Sequence, residues 1–119
     1  MNTTLSTFLE HELRSAVITE RAGSLATAWR HLERAHILSQ AFAWPHTRVH
    51  LRMLSFGWRR RDLREVVGQI ARTIGGGPAS LLGRAPRGNT GGARVGIFAP
   101  MPIPDDLAAL LDASANQSR

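Results

Sequence analysis

The sequence predicts an all-α protein made of two antiparallel helical hairpins, an irregular arm rich in glycine and proline, and a short C-terminal helix. Two observations predict this class. Apolar residues recur at the three- and four-residue spacings of amphipathic helices over residues 4–74. The pattern then stops at residues 75–104, which hold eight of the 11 glycines and five of the six prolines.

The first two helices are predicted on either side of Gly23, which ends the first and precedes Ser24, a good N-cap for the second. The first helix, at residues 4–21, has an apolar face made of Leu5, Phe8, Leu9, Leu13, Ala16 and Val17. The second extends to about Gln40, and its stripe consists of Leu25, Ala28, Trp29, Leu32, Ala35 and His36.

The third and fourth helices are predicted to follow a turn at residues 41–44. Pro45 suits the first turn of the third helix, and Asp62 can cap the fourth. One face of the third helix carries Val49, Met53, Leu54 and Trp58. The fourth contains Leu63, Val66, Val67, Ile70 and Ile74, and the glycines at 75–77 stop it. Leu25 and Leu63 align at a separation of 38 residues, which resembles tetratricopeptide units with their period of about 34.

The arm at 75–104 is too apolar for a free linker, so we expect it to be ordered against the helices. Within it, Gly88 to Arg94 predicts tight turns, and an anion-binding nest is the alternative. Asp105 and Asp106 favour a helix at 105–113 through the helix dipole. Residues 1–113 are therefore predicted to form a single helical domain, with a frayed tail at 114–119.

The composition limits the kinds of metal ligand, cellular location and partner that the chain can have. The chain has no cysteine, so any metal must be held by imidazole, carboxylate or amide groups. No segment is apolar enough to span a membrane, and the acidic N-terminus lacks the pattern of a secretory signal, which together predict a cytoplasmic protein. The net charge is +6, but the arginine cluster around Arg59 to Arg64 lacks interleaved aromatics beyond Trp58, so a nucleic-acid partner is not favoured.

Four stretches of the chain together resemble a bacterial family of small proteins, domain of unknown function 3703. They are HLERAH, HTRVHLRMLSFGWRRRDLREVVGQ, LLGRAPRGNTGGARV and PMPIPDDLAALL, of which the GNTGG part is the most specific. The resemblance covers the chain from about Arg21 to Leu111 and implies a small, single-domain bacterial protein. It implies no activity, so the roles of residues must come from physical chemistry.

A seam of possible metal ligands is predicted between the second and third helices, formed by Glu33, His36, Gln40, His46 and His50. The first three follow spacings of three and four, so their side chains share one helix face. His46 and His50 are four apart and share a face of the next helix. Because the connection is short, the two helices are antiparallel neighbours. We expect Gln40 opposite His46 and His36 opposite His50, with Glu33 about one turn deeper.

Imidazoles with one carboxylate suit a single transition-metal ion, Zn²⁺ or Fe²⁺. If three side chains bind and water fills the fourth position, metal-assisted hydrolysis or oxidation stays open; if four bind, the site is structural or a store. No serine lies in a nucleophile-elbow motif and no pair of carboxylates suggests acid/base catalysis, which disfavours an ordinary hydrolase.

The alternative is a tetratricopeptide-like interaction module whose histidines are purely structural. His36 and His50 would then be core histidines that bond Glu33, Gln40 or a backbone carbonyl. A protein partner would occupy an exposed apolar groove, or the chain would form a homodimer through Trp29, Trp44 or Trp58. His11 and His31 lie off the seam and are expected at the surface.

Overall fold

The computed structural model describes residues 1–62, 64–71 and 102–117, and within these ranges it contains helices and no strands. The helices are α1 (Thr3–Arg21), α2 (Leu25–Ser39), α3 (Ala43–Arg59), α4 (described over 64–71) and α5 (Asp105–Gln117). The all-α class is confirmed. The predictions for Leu63, for Ile74 and for the arm up to residue 101 lie outside the described ranges. None of the described helices is long and apolar enough to cross a membrane.

Helix α1 begins one residue earlier than predicted, because Asn2 caps it. The Asn2 side chain accepts a hydrogen bond from the backbone N–H of Leu5 at 2.9 Å. The helix ends at Arg21, and two residues later Gly23 has a φ of 84°, in the left-handed region that favours glycine. Ser24 occupies the N-cap position of α2, as predicted, although its side chain makes no capping hydrogen bond.

The main core is formed where the apolar faces of α1, α2 and α3 meet. Its members come equally from the three helices and are Leu9, Leu13, Ala16, Ala28, Leu32, Ala35, Val49, Met53 and Phe56. Trp29 packs against this cluster, with its ring centroid 5.4 Å from that of Phe56. The spacing of three and four in the sequence therefore identified most of the buried residues of these helices, but Phe8, Leu25 and Trp58, assigned to the same faces, are 42%, 37% and 70% exposed.

Helix α5 closes the other end of the bundle. A second apolar cluster joins it to α1 and α2, and its buried members are Leu5, Ile37, Leu38 and Leu107. Arg34 on α2 forms an ion pair with Asp106, and Asn2 donates to the hydroxyl of Ser114 at 2.7 Å. Helix α5 continues to Gln117, beyond the end predicted at residue 113.

The turn between α2 and α3 is shorter than predicted, because α3 already begins at Ala43. The backbone N–H of Phe42 donates to the carbonyl of Ser39 at 2.8 Å, and the N–H of His46 donates to the carbonyl of Phe42 at 2.9 Å. This tight reversal makes α2 and α3 antiparallel neighbours and brings the last turn of α2 beside the first turns of α3.

Helix α4 packs closely against α3 after another tight reversal. Arg61 adopts a left-handed φ of 55°, and the Asp62 carboxylate accepts a hydrogen bond from the N–H of Glu65 at 3.2 Å, as expected of a cap. Gly57 permits the close approach, since a Cβ at this position would lie 3.3 Å from the Cβ of Glu65.

The buried face of α4 is more polar than its sequence suggested. Val66 is buried, but Val67 and Ile70 are 67% and 47% exposed. Glu65 and Gln69 are buried in their place. Polar side chains become buried where they find hydrogen-bonding partners, and the partner of Gln69 lies on α3, as described below.

Ion pairs join α1 to α3 along the outside of the bundle. Glu20 accepts hydrogen bonds from Arg59 at 2.7 and 2.8 Å and from Arg60 at 3.2 Å. The hydrogen bonds from Arg59 lower the pKa of Glu20, and those from Arg48 likewise lower the pKa of Glu10. Both carboxylates are therefore stabilised in their charged form by the folded structure.

These shifts predict that acid weakens the fold. A carboxyl group with a lowered pKa in the folded protein contributes stability above its ordinary pKa of 4.5, and this contribution is lost as the pH falls through the lowered value. We expect Glu20→Gln to reduce the unfolding free energy at neutral pH by about 0.5–1 kcal/mol and to flatten its decline in acid. Urea denaturation between about pH 3 and pH 7 measures both effects. Equal slopes for the variant and the wild type would contradict the assignment.

Candidate metal centre

Three buried histidines bring their Nε2 atoms together between α2 and α3. The Nε2 of His36 lies 2.8 Å from that of His46 and 3.2 Å from that of His50, and the last two are 2.9 Å apart. The three residues are only 2–4% exposed. Within the described ranges they form a cluster whose ligand atoms lie within 4.8 Å of one another. The sequence predicted this meeting of imidazoles from both helices.

Helix geometry explains how the three rings reach one point. His46 and His50 are one turn apart on the buried face of α3, beside Val49 and Met53. His36 lies in the last turn of α2, and the short reversal places it between the two rings of α3. It therefore contacts both His46 and His50, whereas the sequence had suggested only His50 as its counterpart.

The rings radiate from their shared point and do not stack on one another. Their centroids are 4.6–4.8 Å apart, and their planes are inclined by 49° to 73°. In this arrangement the three Nε2 atoms face one another, and the rings are almost fully buried. Such inward convergence is what a common ligand requires.

Hydrogen bonds among the three Nε2 atoms cannot satisfy all three contacts. A neutral imidazole carries a single N–H, on Nδ1 or on Nε2, and its other nitrogen bears a lone pair. If one Nε2 carries the hydrogen, the other two present lone pairs to each other; if two carry it, their hydrogens meet. At least one contact is repulsive in every arrangement. A cation at the centre removes this conflict, because it accepts all three lone pairs together.

The separations of the nitrogens fit coordination by a first-row transition metal. With metal–nitrogen bonds of about 2.1 Å, ligand nitrogens are roughly 3.4 Å apart at tetrahedral angles and roughly 3.0 Å apart at right angles. Two of the observed values, 2.8 and 2.9 Å, are nearer the second figure, and the third, 3.2 Å, lies midway between the two figures. The histidines are thus placed like three ligands on one face of a coordination shell.

One of the histidines is held by a polar chain from α4. The Nδ1 of His50 lies 2.6 Å from Oε1 of Gln69, and Nε2 of Gln69 donates to the Glu65 carboxylate at 3.1 Å. Gln69 is fully buried and Glu65 is 9% exposed. Sequence reasoning missed both residues. Their spacing of four places them on the same face of one helix, which could have indicated a polar pair. The neighbouring valines and isoleucines instead suggested that another face of the helix is buried.

The remaining predicted ligands have different positions. Glu33, one turn before His36 on α2, is half-buried and outside the cluster of three histidines, so its ligation stays a prediction. Gln40 is buried at the C-cap of α2, next to the reversal, and its supporting role also stays a prediction. His11 is exposed, and His31 pairs with Glu12 at 2.6 Å, away from the three histidines.

Comparison with known proteins places nearly the whole chain within one group of sequences. The family model described as "Protein of unknown function (DUF3703)" matches residues 3–111. Neither the curated proteins nor the solved structures include a significant match to the chain.

Proposed function

Because the chain belongs to the DUF3703 family, whose function is unknown, its role must be inferred from its own residues. We propose that the protein binds one transition-metal ion between α2 and α3, through His36, His46 and His50. One observation carries this proposal: three buried Nε2 atoms lie within 2.8–3.2 Å of one another, where hydrogen bonding leaves at least one repulsive contact. The cytoplasmic location expected from the sequence stays a prediction.

Zn²⁺ and Fe²⁺ are the ions that we propose for the site. Imidazole nitrogen is a good ligand for both, and the cysteine-free chain offers no thiolate that would favour softer metals. Glu33 is the proposed fourth ligand, with Gln40 in support. If Glu33 binds, the ion is structural or stored. If water takes the fourth position, the ion can activate it for hydrolysis or oxidation chemistry.

Metal stoichiometry tests this proposal. The protein is purified without a histidine tag, stripped with a chelator, loaded with Zn²⁺ or anaerobically with Fe²⁺, and analysed for its elements. We expect one ion per chain in the wild type, and loss of that ion in His36→Ala and His50→Ala. The exposed His11→Ala is the matched control and should retain it. Circular dichroism checks that all variants keep their helices.

Bound metal should also stabilise the fold, because it binds the assembled site and not the unfolded chain. A ligand at 100 times its dissociation constant adds about 2.7 kcal/mol to the unfolding free energy. We expect a higher melting temperature for the wild type and His11→Ala with metal, and no increase for His36→Ala. A wild type that stays metal-free after loading with either ion would show that the histidines are structural.

A second candidate function, homodimerisation, is favoured by a separate feature of α3. Trp44, Leu51 and Trp58 recur every seven residues along one side of this helix and are 81%, 47% and 70% exposed. We propose that this stripe, called here the α3 stripe, pairs with that of a second copy. Leu51 is the midpoint, so a two-fold axis through it would place Trp44 of each copy against Trp58 of the other. Trp29 is partly buried against the main core, with its ring on Phe56, and takes no part.

Sedimentation equilibrium tests the dimer. We expect the wild type to sediment as a dimer at micromolar concentration and Leu51→Asp as a monomer, because the substitution puts two carboxylates at the symmetry axis. Ile18→Asp is the matched control: Ile18 is 66% exposed on α1 and away from the stripe, so this variant should remain dimeric. A monomeric wild type, or dissociation of both variants alike, would overturn the proposal.

A further inference from the structure

We infer that Gln69 and Glu65, both on α4, are positioning residues of the metal site, acting through His50. This inference rests on the proposed function and extends it to a third helix. The carboxylate of Glu65 orients the amide of Gln69, and that amide decides which nitrogen of His50 carries the proton. The chain of contacts thereby leaves the Nε2 of His50 with the lone pair that a metal ion needs.

The direction of each hydrogen bond follows from the chemistry of the groups. A carboxylate only accepts hydrogen bonds, so the group of Gln69 that faces Glu65 at 3.1 Å is its NH₂. The amide oxygen of Gln69 consequently faces His50, and at 2.6 Å it accepts a hydrogen bond from Nδ1–H. A neutral imidazole protonated on Nδ1 bears its lone pair on Nε2.

Because Gln69 and His50 are both buried, the hydrogen bond between them fixes the tautomer of His50. Gln69 has no solvent exposure and His50 is 2% exposed, so bulk water does not compete for the hydrogen bond between them. Metal-ligating histidines characteristically donate their other N–H to a carboxylate or carbonyl oxygen, which fixes the ring and raises the basicity of the ligating nitrogen. The amide oxygen of Gln69 is a carbonyl acceptor of this kind, with a carboxylate behind it.

The packing of α4 against α3 puts this chain of contacts in place. The absence of a side chain at Gly57 lets α4 approach α3 closely: a Cβ atom on Gly57 would lie only 3.3 Å from the Cβ of Glu65. Asp62 caps the helix at the N–H of Glu65. The contacts that dock α4 thus set the distance from Gln69 to His50, whereas the four-residue spacing within α4 brings Glu65 beside Gln69.

The carboxylate of Glu65 would also help to offset the positive charge of a bound metal ion. Three neutral imidazoles do not offset the double charge of a divalent ion in a buried site, and a carboxylate ligand such as Glu33 would offset only one of the two charges, so a further anion nearby is favourable. Glu65 supplies a negative charge close to the site, transmitted through the polarised amide of Gln69 to the N–H of His50. Replacing either residue should weaken metal binding without removing any of the three ligating nitrogens.

Affinity measurements on matched variants test the inference. Zn²⁺ affinity is determined by competition with a chromophoric chelator for the wild type, Gln69→Met and the double variant Glu65→Gln with Gln69→Glu. We expect Gln69→Met to lose about 10- to 100-fold in affinity, because it preserves volume but removes the acceptor. The double variant exchanges the two groups and retains both hydrogen bonds, so its affinity should return to within a few-fold of the wild type. Arg64→Met, exposed on α4, is the control.

The tautomer of His50 distinguishes loss of the hydrogen bond from a mere change in packing, because a change in packing alone would not alter which nitrogen is protonated. Long-range ¹H–¹⁵N correlation spectra of the metal-free protein distinguish a protonated Nδ1 from a protonated Nε2. We expect Nδ1–H at His50 in the wild type, and loss of this fixed state in Gln69→Met. The spectrum also reports whether that variant is folded. Where Gln69→Met does not fold, the double variant carries the test: the carboxylate introduced at position 69 should still hold the proton on Nδ1 of His50, and a proton on Nε2 would overturn the inference.

The possible outcomes separate this inference from the function on which it rests. If the wild type binds Zn²⁺ and Gln69→Met binds it equally well, the role of Gln69 is overturned and the metal site stands. Protonation of His50 on Nε2 in the wild type would also overturn it. If the wild type binds no metal, the proposed function fails, and the inference about the metal site fails with it; the spectrum then shows whether the hydrogen bond alone exists.

Discussion

The meeting of three imidazole nitrogens at one buried point is the interaction on which the account of this protein depends. It requires a tight reversal after α2, two histidines one turn apart on α3, and a helix α2 that ends close to them. A repulsive contact remains among the nitrogens in every neutral protonation state, so the folded chain keeps this arrangement at a cost. Such local costs are characteristic of functional sites, where a ligand relieves them.

The remainder of the bundle holds the two halves of the site in register. The core shared by α1, α2 and α3 sets the distance between the helices that carry the histidines. Helix α1 is joined to α2 by the buried carboxylate of Glu12, which accepts hydrogen bonds from His31 at 2.6 Å and from Arg34 at 2.9 Å, both on α2. Arg34 also reaches Asp106, so α5 is tied to the same helix. The bases of the histidine side chains are therefore fixed on packed helices, which favours a preorganised site.

The sequence allowed the helices and the three histidines to be predicted, because both depend on short-range spacing. His46 and His50 must share a face if they are four apart on a helix, and a short connection must place them beside His36. Gln69 could not be found this way, because its place depends on the rotation of α4 against α3. The apolar Val67 and Ile70 suggested the opposite face, yet the structure exposes them and buries Gln69. Trp58 likewise lies outside the core on the α3 stripe, since tertiary packing outweighed the local apolar pattern.

Anomalous diffraction from a crystal of the metal-loaded protein tests the central claim most directly, because it locates the ion without reference to any activity. The account predicts one strong anomalous peak between α2 and α3, about 2.0–2.2 Å from the Nε2 atoms of His36, His46 and His50. Peaks only at surface carboxylates or exposed histidines, with these three rings unchanged and bonded to protein groups alone, would contradict it.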